Sequence, residues 1–369
     1  MRADIFCRVI DNYGDIGVCW RLARRLAQGR GWQVRLWVDD LRAFARIQPG
    51  IAADAGLQRH TGIDIVHWTA SPPPLEPGDV AIEAFACDPP AAFVQAMRAR
   101  PPVWINLEYL SAEPWVESCH GLPSQRADGL VKHFFFPGFT AATGGLLREP
   151  GLSAERDAFQ AERPRQQAFL RGLGLDDAAL AHWRAGARLA TLFCYPHAPL
   201  AALAQALARD TRPTLLLAPE GVAPGLEDSS GGALRIARVP FMPQPDFDRL
   251  LWCADLNFVR GEDSFVRAAW AARPLVWQIY PQAGDAHLDK LEAWLARYAC
   301  PPQAQALIRA WNAPDNAARA VAAALPAALA APAWPDWQAA ARAWDASQAA
   351  RPDLGDMLAD FCAELARKR

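Results

Sequence analysis

The chain has 369 residues, a length that predicts two domains. Its hydrophobic content of 52% and charged content of 21% are ordinary for a soluble globular enzyme. The formal net charge of -2 produces no overall field that would attract nucleic acid or an anionic membrane, and we expect neither as a partner.

Strands and helices alternate through the first part of the chain. The apolar run from Ile5 to Ile10 predicts a buried first strand, and apolar residues at helical spacing predict a helix over 20–27. Further strands are predicted over 33–38, 63–68, 80–84, 103–107 and 132–136, with helices over 41–47 and 91–99. This alternation predicts a doubly wound parallel sheet.

The alternation restarts in the second part of the chain. Strands are predicted over 189–195, 214–218, 234–239, 256–259 and 275–279, and helices over 199–209, 247–253, 265–272 and 285–297. We therefore expect an α/β protein with one Rossmann-like domain over 1–156 and a second over 157–345, with a cleft between them. Residues 346–369 are expected to form a C-terminal helix that packs back on the first domain.

The turn after the first predicted strand is acidic. It reads Asp11-Asn12-Tyr13-Gly14-Asp15-Ile16-Gly17, and its two glycines allow a tight backbone turn close to a ligand. A turn at this edge of a parallel sheet normally binds anions through N–H groups at the helix start. Asp11 and Asp15 suit a cation or a general base better; alternatively, they cap the helix and form the turn.

A second turn of this kind lies in the second domain. Arg260-Gly261-Glu262-Asp263-Ser264 stands between an apolar strand and a helix. Backbone N–H groups and the Ser264 hydroxyl could bind a phosphate, the carboxylates of Glu262 and Asp263 could bind sugar hydroxyls, and Arg260 could balance their charge. Alternatively, Asp263 and Ser264 only cap a helix that begins at Phe265.

Aromatic side chains follow the strands near this second turn. Phe193 and Tyr195 end one predicted strand, and Phe241 and Phe247 flank a short segment that contains Gln244. Two aromatic faces could enclose a nucleobase whose polar edge Gln244 reads; ordinary core packing is the alternative.

Several common site patterns are missing from the sequence. It contains no zinc-binding H-x-x-x-H or H-E-x-x-H, no P-loop, no G-x-G-x-x-G in the first turn and no G-x-S-x-G. We expect no metal and no cofactor. The eight scattered cysteines, the absence of an apolar run of about 18 residues and the strand at the N-terminus predict a cytoplasmic protein with free thiols.

Seven stretches, in the same order, resemble the EarP family along nearly the whole chain. These are 11–24 (DNYGDIGVCWRLAR), 106–113 (NLEYLSAE), 134–140 (FFFPGFT), 144–149 (GGLLRE), 192–195 (LFCY), 239–244 (VPFMPQ) and 260–267 (RGEDSFVR). EarP proteins are bacterial protein-arginine rhamnosyltransferases that modify translation elongation factor P.

The resemblance implies a GT-B fold, with two Rossmann-like domains facing each other across a cleft. It implies transfer of rhamnose, with inversion, from dTDP-β-L-rhamnose to one arginine of elongation factor P, which then rescues ribosomes stalled on proline runs. The first domain would bind the acceptor, and the second would bind most of the donor.

The family also implies roles for individual residues. Asp15 would be the base, with Asp11 beside it, and Glu262 would be a second essential group. The thymine would lie against Phe193, Tyr195, Phe241 and Phe247. The full set expected to contact the donor is Asn12, Tyr13, Gly14, Asp15, Gly17, Phe193, Tyr195, Phe241, Gln244, Phe247, Arg260, Gly261, Glu262, Asp263 and Ser264.

Two other functions are compatible with the residues. One is a GT-B transferase that uses a different nucleotide sugar and a small or lipid acceptor. The other is a protein that binds a nucleotide sugar without catalysis, in which Asp15→Asn and Glu262→Gln would leave function intact. The spacing of Asp11 and Asp15 does not by itself decide which of them is the base.

Overall fold

The computed structural model describes residues 1–368, which divide into two compact units. The first unit is Met1–Pro150 together with the chain from Gln348 onward, and the second is Gly151–Ser347. The predicted junction, after residue 156, lies six residues later than the observed one. Residues 151–156 belong to the second unit, because the Arg156 guanidinium donates to the Trp270 carbonyl at 2.7 Å and pairs with Asp345 at 2.6 Å.

The first unit is an α/β unit built on one large sheet. Its strands, within the described residues, are β1 (Arg2–Cys7), β2 (Gln33–Val38), β3 (Leu57–His60), β4 (Ile63–His67), β5 (Val80–Ala84), β6 (Val103–Leu107), β7 (Pro123–Gln125) and β8 (Val131–Phe135). Its helices before the second unit are α1 (Gly14–Arg30), α2 (Leu41–Ile47), α3 (Ala91–Met97) and α4 (Trp115–Cys119).

The sheet of the first unit is doubly wound. Its strand order is β3-β4-β2-β1-β5-β6-β8-β7, in which only β3 and β7, the two edge strands, run antiparallel to their neighbours within the part of the chain described. The chain leaves β1 for β2 on one side and later reaches β5 on the other. The carboxyl ends of β1 and β5 therefore form the switch point at which such sheets bind ligands.

The first strand lies three residues earlier in the chain than predicted, since it runs from Arg2 to Cys7 and not from Ile5 to Ile10. The backbone N–H groups of the next residues leave the sheet for carboxylates: Val9 donates to Asp39 at 2.9 Å, and Ile10 donates to Asp15 at 2.7 Å. The Ile10 side chain is 64% exposed. The connection between β1 and α1 is thus a longer loop than the apolar pattern indicated.

The second unit is a smaller sheet covered by helices. Its strands among residues 151–347 are β9 (Arg188–Leu192), β10 (Thr214–Pro219), β11 (Leu234–Val239), β12 (Leu256–Arg260) and β13 (Leu275–Gln278). Its helices are α5 (Leu152–Ala161), α6 (Arg163–Gly172), α7 (Asp177–Arg184), α8 (Leu200–Ala208), α9 (Gln244–Cys253), α10 (Asp263–Trp270), α11 (Ala286–Arg297), α12 (Pro302–Trp311), α13 (Ala317–Leu329) and α14 (Ala333–Ala349), the last running past Ser347.

The second sheet is parallel throughout, with the order β11-β10-β9-β12-β13. The carboxyl ends of β9 and β12 form its switch point, in the same way as β1 and β5 do in the first sheet. The turn 260–264 follows β12 directly, and Phe193 follows β9 directly. Both turns that the sequence analysis selected therefore lie at the switch point of their own sheet.

The last helix within residues 1–368, α15 (Leu354–Arg367), packs on α1 in the first unit. Arg25 of α1 donates to both oxygens of Asp353, at 3.1 and 2.7 Å, and both side chains are buried. Asp353 also caps α15 by accepting the Gly355 N–H at 2.8 Å. A Cβ on Gly355 would lie 2.4 Å from Cγ of Arg25, so this close contact requires glycine.

Across residues 1–368, no single helix is both long and apolar enough to cross a membrane. One bent pair, 317–329 with 333–367, meets that criterion by length and composition only when the two parts are taken together.

We predict that Arg25→Ala lowers the free energy of unfolding by about 3–5 kcal/mol, because it leaves the buried Asp353 carboxylate without its main cationic partner. Urea titration at neutral pH measures this. Arg30→Ala is the matched control on the same helix, since Arg30 pairs with the more exposed Asp356 and Asp360 and should cost less than about 1 kcal/mol. Equal losses in the two variants would contradict the assignment of Arg25 as the main tie between α1 and α15.

Candidate functional site

The carboxylate of Asp15 organises the loop between β1 and α1. Asp15 lies in the first turn of α1 and is only 3% exposed. One of its oxygens accepts the N–H groups of Ile10 at 2.7 Å and Asp11 at 2.9 Å, and the Tyr109 hydroxyl donates to the same side chain. The donors that fix this carboxylate are therefore all neutral.

Burial raises the pKa of Asp15 above the ordinary aspartate value. The two backbone N–H groups and the Tyr109 hydroxyl act in the opposite direction, because they stabilise the charged form, while the nearby Asp11 carboxylate raises the pKa further. A carboxylate with a raised pKa binds a proton more strongly than an ordinary surface aspartate, which is the property that a general base needs.

The helix-cap alternative does not describe Asp15. The N-cap position of α1 is Tyr13, and Asp15 accepts N–H groups from residues that precede the helix. Asp11 is a turn residue, since its carbonyl accepts the Gly14 N–H at 2.7 Å and its carboxylate accepts the Asn12 amide at 3.3 Å. Asn12 has a left-handed φ of 47°, which brings the two aspartates into the same turn.

Two residues of this site were not selected from the sequence. Tyr109 lies in the loop after β6, and its ring stacks on Phe85, which follows β5, with 4.3 Å between ring centroids and 12° between planes. Tyr109 belongs to the 106–113 motif, which was the available signal, but its contact with Asp15 joins residues 94 positions apart.

In the second unit, one guanidinium connects the two strand ends at the switch point. Arg260 donates to the Cys194 carbonyl at 3.0 Å, and its guanidinium carbon lies 4.4 Å from the ring centre of Phe193 and 4.9 Å from that of Tyr195. The loop after β9 and the turn after β12 thus form one structure. Arg260 is half-buried, and its positive charge lies against the two aromatic rings that follow β9.

The turn itself differs from the predicted cap. Helix α10 begins at Asp263 and not at Phe265, with Glu262 at the N-cap position. The Ser264 hydroxyl is buried in the turn, where it accepts the Arg260 N–H at 3.1 Å and donates to the Arg260 carbonyl. Ser264 therefore stabilises the turn from inside. Gly261 has a φ of 61°, a left-handed conformation that glycine adopts without strain.

The aromatic residues predicted to bind the nucleobase differ in their ring contacts and in their burial. Phe193 and Phe247 pack edge to face with 5.5 Å between centroids, and Tyr195 is buried and stacks on His197 at 5.8 Å. Phe241 is half-buried, and Gln244 is the buried first residue of α9.

Gln278, at the end of β13, was also missed from the sequence. Its Oε1 accepts the Tyr195 N–H at 2.7 Å, and it is 1% exposed. Its buried Nε2 has no hydrogen-bond partner among the described residues. The Gly261 N–H donates to its carbonyl at 3.1 Å, so Gln278 supports both the Tyr195 loop and the 260–264 turn.

The predicted site residues fall into two groups. Those from Asp11 to Gly17 share the turn between β1 and α1 in the first unit. In the second unit, Arg260 contacts Phe193 and Tyr195, and Phe247 packs on Phe193, whereas Phe241 and Gln244 follow β11, the edge strand of the sheet. Within residues 1–368, no three His, Cys, Asp or Glu side chains are arranged to hold a metal ion.

Comparison with known proteins places this arrangement in a family. The family model described as Elongation-Factor P (EF-P) rhamnosyltransferase EarP matches residues 3–363. A protein-arginine rhamnosyltransferase from Pseudomonas putida KT2440 is 51% identical over 379 aligned positions, which cover 97% of each chain.

Solved structures agree with this family and define the fold. One solved structure concerns the structural basis for EarP-mediated arginine glycosylation of translation elongation factor EF-P. It is 37% identical to this chain, with a TM-score of 0.66, and the match covers 98% of this chain and 99% of that one. MurG from Acinetobacter baumannii, at 13% identity and a TM-score of 0.54 over 98% and 99% of the two chains, shares the GT-B fold. The chain belongs to the EarP family and is a glycosyltransferase with two parallel-sheet units of the GT-B type.

Proposed function

We propose that this enzyme transfers L-rhamnose from dTDP-β-L-rhamnose to one arginine side chain of translation elongation factor P, with inversion at the anomeric carbon. The observation that carries the proposal is the buried Asp15 carboxylate, held by neutral donors at the switch point of the first sheet. Family membership supports the choice of substrates, since the relatives are named as arginine rhamnosyltransferases and one solved structure concerns EF-P.

A base is required because arginine is a poor nucleophile. Its guanidinium has a pKa above about 12 and carries no lone pair that is free to attack. An aspartate cannot deprotonate free arginine appreciably, so proton removal must accompany formation of the C–N bond. Asp15 takes the proton from the attacking nitrogen as that nitrogen bonds to the anomeric carbon, and Asp11 helps to hold the cationic guanidinium.

The leaving group needs the opposite kind of stabilisation. As the bond from the anomeric carbon to oxygen breaks, the electron pair leaves with dTDP, which gains negative charge. Backbone N–H groups at the start of α10 and the Arg260 guanidinium stabilise that charge. Glu262 binds the sugar hydroxyls. The aromatic residues Phe193 and Phe247, which pack together, contact the thymine.

We assign the reaction to the cytoplasm. The support is the state of the eight cysteines, all of which are free thiols, as a reducing compartment maintains them.

The direct test is to incubate the purified chain with elongation factor P and dTDP-β-L-rhamnose and to weigh the intact acceptor. We predict a gain of one deoxyhexose, which fragmentation locates on a single arginine. An elongation factor P in which that arginine is replaced by lysine is the control and should stay unmodified. An unchanged acceptor mass at full donor consumption, or transfer only to a small or lipid acceptor, would contradict the proposal.

A second prediction concerns the base. Asp15→Asn should lower kcat by about 10²–10⁴-fold, because the amide cannot accept the proton, while dTDP binding measured by calorimetry stays within about twofold. Asp39→Asn is the matched control, since Asp39 supports the same loop by accepting the Val9 N–H at 2.9 Å. We expect that variant to keep most of its activity. Turnover of Asp15→Asn near the wild-type rate would remove Asp15 from the base role.

A further inference from the structure

The segment that follows β5 has an unusual backbone. Phe85, Ala86 and Asp88 have φ values of 59°, 55° and 42°, which place three non-glycine residues of a four-residue stretch in the left-handed region. This conformation is unfavourable for residues with a Cβ and persists only where the surrounding structure enforces it. The stretch lies at the switch point of the first sheet, beside the loop that contains Asp15.

Hydrogen bonds to the strands on both sides enforce this conformation. The Phe85 N–H donates to the Leu107 carbonyl at 2.7 Å, and the Ala86 N–H donates to Oδ1 of Asn106 at 3.1 Å, both in β6. On the other side, Sγ of Cys87 donates to the Phe6 carbonyl in β1 at 3.3 Å. These bonds fix the position of the Phe85 backbone and therefore of its ring.

The Phe85 ring in turn supports Tyr109. The two rings stack nearly parallel, with their centroids 4.3 Å apart, and the Tyr109 hydroxyl reaches the Asp15 carboxylate. The Tyr109 side chain is 36% exposed and would otherwise lose conformational freedom in making this bond. The strained loop therefore supports the Phe85 ring, this ring supports Tyr109, and the Tyr109 hydroxyl contacts the proposed base.

We propose that Tyr109 is a positioning residue for the transfer reaction: its hydroxyl orients the Asp15 carboxylate toward the acceptor guanidinium, and the left-handed Phe85–Asp88 segment exists to hold the ring that supports Tyr109. This inference rests on the proposed function, in which Asp15 receives the proton. It adds a residue that acts through Asp15.

The direction of the expected pH effect follows from the groups around Asp15. These are the Ile10 and Asp11 N–H groups, the Tyr109 hydroxyl, the Asp11 carboxylate and the buried Cys7 thiol. The hydroxyl stabilises the charged carboxylate, so its removal raises the pKa of Asp15 further. Asp15 must be charged to accept a proton, and the acid limb of the rate profile must therefore move to higher pH.

The test is the pH profile of kcat/KM for rhamnose transfer by Tyr109→Phe, which keeps the ring stack and removes the hydroxyl. We expect the acid limb to move to higher pH, with a loss on the order of tenfold on that limb, a smaller loss on the plateau and an unchanged KM for dTDP-β-L-rhamnose. Phe85→Leu, which keeps the hydroxyl and removes the stack, should lower kcat as well.

Ser111→Ala is the matched control. It removes a hydroxyl from the same loop, one that bonds to Glu113 at 2.8 Å, and should leave the profile unchanged. An active wild type beside a Tyr109→Phe variant with the wild-type profile would overturn this inference alone. A wild type that transfers no rhamnose to elongation factor P would instead overturn the proposed function on which the inference rests.

Discussion

Two buried aspartates, near opposite ends of β1, determine how the first unit is stabilised and where it can bind a proton or a cation. Asp4, inside the strand, has its charge balanced by the Arg35 guanidinium, which donates to both oxygens at 2.7 and 2.9 Å. Asp15, beyond the carboxyl end, is bound by two N–H groups and a hydroxyl, all neutral. The first arrangement stabilises the sheet, whereas the second leaves a buried negative charge with affinity for a proton or a cation.

The same topology serves different chemistry in the two sheets. Each has a turn at its switch point, where strands diverge and leave room for a ligand. The first turn is acidic and organised by Asp15, which suits a cationic acceptor. The second turn is stabilised from within by the Ser264 hydroxyl, and its Arg260 guanidinium lies against Phe193. This arrangement suits a ligand that has a negative charge and a nucleobase. A transferase needs both kinds of site.

Much of the fold could be predicted because its strands are strongly apolar. The bounds of β2, β5, β6 and β11 follow the apolar runs, whereas the antiparallel edge strands β3 and β7 were missed because they are short and largely polar. The predicted end of β1 was wrong because the apolar run continues through Ile10, whereas the N–H groups of Val9 and Ile10 already donate to side-chain carboxylates. The pattern of apolar residues in the sequence shows where the chain is buried, but it does not show which group accepts each backbone N–H.

The candidate site shows the same limit. Asp15 and Arg260 were selected because glycine and acidic residues mark their turns, a local signal. Tyr109 and Gln278 act through contacts with residues distant in the chain, which spacing alone does not reveal. Ser264 was selected for a hydroxyl that could bind a phosphate, but in the structure that hydroxyl bonds to the Arg260 backbone, and α10 begins one residue before Ser264.

The proposed chemistry requires that the Asp15 carboxylate be a desolvated proton acceptor in the free enzyme, before any substrate binds. Carbon NMR of the protein labelled at aspartate carboxyl carbons measures its titration directly, and the signal lost in Asp15→Ala assigns it. We predict a titration midpoint above the ordinary aspartate value, because burial outweighs the three donors. A midpoint at or below that value would show that the hydrogen-bond donors outweigh burial and that Asp15 has no raised affinity for a proton, and the proposed chemistry at this site would be wrong.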